Sequence, residues 1–123
     1  MSQSYRDLIA WQKAMALAEQ VFAATENFPK REIFGLAAQL RRAAVSVPSN
    51  IAEGQSRHSR REFQHFLRTA KGSIAEIETQ ILLAAKFGYV TDADSRRILE
   101  LCGEVSRILA GLIASMAERA AES

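Results

Sequence analysis

Residues 39–56 read QLRRAAVSVPSNIAEGQS, and the fold turns on what Pro48 does to them. Leu40, Ala43, Val47 and Ile51 recur at steps of three and four, the spacing of one helical face. A proline removes one ladder hydrogen bond and clashes with the carbonyl four residues back. Two separate helices broken at Val47 would satisfy it, as would one helix kinked near Pro48. The apolar phase runs on unchanged from Val47 to Ile51, which favours the single bent helix. Extended backwards, the row takes in Leu36 and Ile33, so this helix is predicted from about Lys30 to Ser56. Pro29 then stands at its start, where a missing N–H costs nothing.

Three more periodic segments surround it. From about Asp7 to Glu26, one row is Leu8, Trp11, Met15, Ala18, Phe22 and Thr25. A second row is Ala10, Ala14, Leu17, Val21 and Ala24. Two apolar rows fit a helix buried both by its own bundle and by another subunit, or one wide core face rich in Ala. Ser59 and Glu62 have capping-box spacing. They open a third helix predicted to Phe87, with a core stripe of Phe63, Phe66, Leu67, Ala70, Ile74, Ile77, Ile81 and Ala84. Gly88 suits a C-terminal cap. Thr91 caps a fourth helix, with Asp92 and Asp94 favourable at its positive end. Its stripe of Ile98, Leu101, Cys102, Val105, Ile108, Leu109, Leu112, Ile113 and Met116 ends near Ala117, and the tail Glu118–Ser123 is expected to fray. Four amphipathic helices with short turns imply an all-α, antiparallel up-down-up-down four-helix bundle.

A length of 123 residues suits one domain, and 48% hydrophobic with 24% charged residues is a globular balance. The single cysteine, Cys102, excludes a disulfide framework and a Cys-rich zinc site. The start, MSQSYRDL, lacks a basic region followed by an apolar one, and no charge-free run approaches the roughly 20 residues a membrane span needs. A cytoplasmic protein without a membrane partner is expected.

The net charge of +2 hides a polarised chain. Lys30–Lys71 holds nine Lys or Arg and three acids, a net of +6, leaving −4 for the rest. The cations gather at Arg57, Arg60, Arg61, Arg68 and Lys71, the candidate nucleic-acid-binding set. On a helical wheel Arg60, Gln64, Arg68 and Lys71 share a flank with Arg61 beside it, facing away from Phe63, Phe66 and Leu67. Such a strip neutralises phosphates and releases counterions, or it is only a solvated face. No aromatic residue interleaves with it, so base stacking is not indicated there. A second feature is the row Gln39, Arg42, Ser46, Asn50 and Glu53, within about 80° on the helix. It reads as a buried polar network, a ligand site or a solvent-facing row.

Catalytic and metal signals are weak. Glu62-Phe-Gln-His65 is one Glu-x-x-His where a di-iron bundle needs two. Its partner candidate, His58, is two turns away and badly spaced. Cys102 falls on a core stripe, and no phosphate-binding glycine loop or nucleophile elbow is present. No enzyme activity, cofactor or metal is expected. Gly72 costs about 1 kcal/mol relative to Ala in mid-helix. It lies on an outer side continued by Ala75, Thr79, Leu82 and Leu83. Close approach by another subunit would explain both features, as would a tolerated glycine on a monomer.

Particular strings add to this. They are Asp7-Leu8, Trp11-Gln-Lys-Ala14, Phe28-Pro29, Gly35-Leu36, Gln39-Leu-Arg-Arg-Ala43, Ser46-Val-Pro-Ser-Asn-Ile-Ala-Glu-Gly54, Phe66-Leu67, Ala70, Gly72-Ser73 and Glu76. Over about Tyr5 to Met116 the chain resembles the bacterial four-helix-bundle family associated with intervening sequences of large-subunit ribosomal RNA genes. Relatives in that family include the accessory variability protein of diversity-generating retroelements. The resemblance implies a barrel-like homopentamer whose positive surface, in the retroelement relatives, binds nucleic acid and a reverse transcriptase. It places Arg42, Ser46, Asn50 and Glu53 in the family motif without assigning them a role, and it carries over no catalytic residue. The expected function is thus a non-enzymatic homo-oligomer binding RNA or DNA. The alternative is a scaffold docking an acidic protein partner.

Overall fold

The computed structural model describes residues 4–122, with side chains as far as Ala117. Four helices follow in order: α1 Ile9–Thr25, α2 Leu36–Ser56, α3 Arg60–Lys86 and α4 Asp92–Glu122. Each packs against two others, α1 on α2 and α4, and α3 on α2 and α4, which closes a four-helix bundle. Gln39 meets Gln80 and Ser46 meets Ser73, so residue numbers rise along α2 as they fall along α3: the pair is antiparallel. The core is built from Leu17 and Val21, Leu40, Val47 and Ile51, Leu67, Ile74, Ile77 and Ile81, and Ile98, Val105 and Leu109, all fully buried. Each such side chain contributes roughly 1.5–3 kcal/mol relative to exposure.

Pro48 lies inside α2, which passes through it as one helix. The ladder lacks one hydrogen bond there, and the burial of Pro48 with Val47 and Ile51 on the core side offsets the loss. The predicted start of this helix needs correction. Lys30–Glu32 form a separate 3-10 turn, and Gly35 (φ −106°, ψ −118°) precedes Leu36. Ile33 therefore leaves the core row and is 54% exposed. Of the two rows on α1, Ala10–Ala24 is the core row, whereas Met15 and Phe22 are exposed and Trp11 is half-buried. Phe63 and Phe66 are half-buried, not core. Helix α4 runs past Ala117 to Glu122; Ser123, the end of the expected fraying tail, lies outside the described residues.

The turn signals behave as their chemistry dictates. The Glu62 N–H donates to Ser59 Oγ at 3.3 Å, and the Asp94 N–H to Thr91 Oγ1 at 3.1 Å. Gly88 has φ +76°, its N–H bonds the Ala85 carbonyl, and the Tyr89 N–H bonds Ala84, closing α3 with a Schellman motif. The α2–α3 turn is tight, with His58 in the left-handed region at φ 57°.

Candidate nucleic-acid interface

The turn between α2 and α3 separates the predicted cations into two groups. Arg57 follows the last turn of α2, where Glu53 is its neighbour one turn back. Its guanidinium donates to Glu53 Oε1 at 2.7 Å, lies 3.9 Å from Glu62 and stacks on the Phe66 ring at 5.3 Å. The Glu53 hydrogen bond and charge, in that order, hold the Arg57 pKa above its ordinary value. Arg57 is thereby neutralised locally, and Glu53 with it.

Arg60, Arg61, Arg68 and Lys71 form the second group. Among the described residues none of them has a carboxylate partner. The middle of this flank, which the helical wheel sets away from Phe63, Phe66 and Leu67, lies beside α4. Gln64, in the middle of the flank, donates to the Ile113 carbonyl at 3.1 Å. Arg68 and half-buried Lys71 border a groove of about 460 Å³ floored by Ala110, Ile113 and Ala114. Arg60 borders a smaller recess with Gly54, His58, Ser59 and Phe63. Arg68 and Lys71 thus border the α3–α4 seam over an apolar floor, while Arg60 and Arg61 are exposed at the start of α3.

The second candidate row is divided as well. Ser46 and Ser73 share a hydrogen bond of 2.8 Å across α2 and α3, and Asn50 Nδ2 donates to the Ser46 carbonyl and hydroxyl at 2.8 and 2.9 Å. Ser46 thus bridges α2 to α3, Asn50 braces it from the next turn of α2, and Glu53 belongs to Arg57. Arg42 lines an open polar groove with Gln39, Ser46, Ser73, Glu76 and Gln80, and has no ion-pair partner among the described residues. His58 and His65 are exposed, and among the described residues no three His, Cys, Asp or Glu side chains come together as metal ligands. Burial pushes the Cys102 thiol up to about 12, which leaves it almost no thiolate. No helix among the described residues is long and apolar enough to cross a membrane.

Two features escaped the helical wheel. Gly54 lets α3 approach closely: a Cβ there would sit 2.8 Å from Phe66 Cβ and 2.9 Å from Phe63 Cδ1. Phe34, in the turn before α2, is 95% exposed. Neither is visible in apolar periodicity, since glycine has no side chain to count and Phe34 lies outside the helix.

A solved structure with the same architecture is that of a protein of unknown function from the S23 ribosomal protein family of Bacteroides thetaiotaomicron. It superposes with a TM-score of 0.80 at 21% identity, over 86% of this chain and 96% of that one. Among curated proteins no match is found. The family model for the 23S rRNA-intervening sequence protein matches residues 6–111. With that match spanning most of the bundle, the chain belongs to the 23S rRNA-intervening sequence protein family.

Proposed function

We propose that the protein is a non-enzymatic, self-associating cytosolic protein that binds RNA or DNA through phosphate contacts from Arg60, Arg61, Arg68 and Lys71. The observation that carries this reading is the contrast between Arg57, neutralised by Glu53, and the four cations beside it that lack a partner among the described residues. Arg60 to Lys71 spans about 17 Å of helix, enough to follow a run of successive phosphates. Arginine's planar fork suits such contacts, and backbone contacts carry little sequence information.

Self-association is supported by exposed Met15, Phe22, Val45, Leu82 and Leu83, and by Gly72, whose missing side chain no atom of its own subunit requires. The homopentamer implied by the family resemblance would repeat the strip around the assembly and turn a small monomer charge into a strong field. The test is fluorescence anisotropy with RNA and DNA probes at rising salt. Four phosphate contacts predict log K falling with log salt at a slope of about −3 to −4 on duplex, and Arg60→Ala with Arg68→Ala should flatten it by about 2. Absence of binding at low salt rejects the proposal.

The alternative, a scaffold docking an acidic protein, is favoured by the groove in which Arg68 and Lys71 flank apolar Ala110, Ile113 and Ala114. A partner recovered by pull-down after nuclease treatment would support it, and loss of that partner on nuclease treatment would count against it.

A further inference from the structure

We propose that Phe34 is a stacking platform for an unpaired nucleobase, which makes the end of the bundle opposite the α2–α3 turn a second contact for single-stranded nucleic acid. The inference rests on the nucleic-acid reading above and adds to it the class of substrate, a strand with free bases.

Phe34 is 95% exposed, although its backbone is held. The Ile33 N–H bonds the Lys30 carbonyl and the Gly35 N–H bonds the Glu32 carbonyl, at 3.2 and 3.0 Å. Its neighbour Ile33 turns into a groove with Phe28, Ala37 and Arg41, and Phe34 projects from the same turn with both faces free. Two cations precede it on the same short segment. Lys30 and Arg31 are exposed, and Arg31 is braced on Tyr89, with its guanidinium 3.3 Å from the hydroxyl and 5.7 Å from the ring centre. The acid of the segment, Glu32, is engaged by the Leu36 N–H and the Tyr89 hydroxyl at 3.1 and 3.0 Å. Behind them stand Phe28, Tyr89 and Phe87, each about 5.5 Å from the next, with Phe87 itself exposed.

A ring that anchors a protein partner usually lies in a continuous apolar patch ringed by neutral contacts. An exposed ring paired with exposed cations, here Lys30 and Arg31, is the arrangement of a single-strand site, where aromatic faces take bases and cations take phosphates. A base inside a duplex is already stacked on both sides, so the site discriminates against duplex.

The experiment is anisotropy with a labelled oligothymidylate of about 15 nucleotides and a duplex of the same length, on wild type, Phe34→Ala, Phe34→Trp and the Arg60→Ala/Arg68→Ala double variant. Phe34→Ala should weaken single-strand binding about 10-fold or more with an unchanged salt slope, Phe34→Trp should retain it, and duplex binding should be unaltered. The double variant should lower the slope on both probes. Thermal unfolding of Phe34→Ala should match wild type, since the ring touches little of its own subunit. The inference is overturned if Phe34→Ala leaves single-strand affinity unchanged, weakens both probes equally, or changes the oligomeric state of the free protein in light scattering. In the first two of these cases binding sensitive to the strip leaves the broader proposal standing. Wild type that binds neither probe overturns both.

Discussion

The Glu32 carboxylate accepts from the Leu36 N–H and from the Tyr89 hydroxyl, and so fixes where α2 begins and what the far end of α3 docks on. The backbone bond first, then the Tyr89 bond and the nearby Arg31 charge, hold its pKa below the ordinary glutamate value of 4.5. A depressed folded pKa means the unfolded chain takes up the proton first as pH falls. The stability that Glu32 contributes is therefore complete above pH 4.5 and is lost as pH falls through the lower folded value. Wild type should exceed Glu32→Gln in urea midpoint at neutral pH, with the gap closing in acid; a gap independent of pH would refute this. The capping role is hard to read in the sequence because the Gly35 position before α2 has no side chain, and Tyr89 lies 57 residues away. Phe34 is equally opaque, since a helix predicted from Lys30 onward hides the turn that exposes it.

At the scale of the helices, the α2–α3 pair is the most specific piece of packing. The Ser46–Ser73 bridge fixes their register and Gly54 their separation. A Cβ at Gly54 would meet Phe66 Cβ at 2.8 Å, an atom that cannot swing away without its backbone. Gly54→Ala should cost about 1–3 kcal/mol in urea unfolding, as overpacking does. No loss would show that the helices separate freely there. Helices α3 and α4 were legible because their stripes are long and their caps are chemically distinctive: Ser59, Gly88 and Thr91 each do what their side chain or its absence allows. The start of α2 was not, because Ile33 keeps the apolar phase while Pro29 and Gly35 take the backbone out of the helix. On α1 the wheel shows two apolar rows, but only tertiary packing chooses between them, and it buries the alanine-rich one.

For the whole molecule, charge and apolar exposure point outward in different places. Lys30–Lys71 carries +6 and the remainder −4, a division plain in the sequence. What the sequence hid is which cations are left over once the helices pack: Arg57 finds Glu53 and Glu62, while Arg68 and Lys71 border an apolar seam with α4. Gly72 bears on assembly. Nothing lies within 4 Å of the Cβ it lacks, so in a lone subunit Gly72→Ala gains helix propensity, about 0.5–1 kcal/mol. If a second copy lies against that face, the added methyl loosens the assembly. We expect smaller particles in light scattering together with a more stable subunit at low concentration. Stabilisation with no change in size would mean that face is free.

Cys102 gives the bundle a built-in clock. Its sulfur is fully buried and its thiol is pushed up to about 12, so an alkylating reagent finds almost no thiolate in the closed protein. Once α4 leaves the core, the same sulfur returns to the ordinary cysteine range and reacts. Because the chain has one cysteine, every labelled molecule records one such opening.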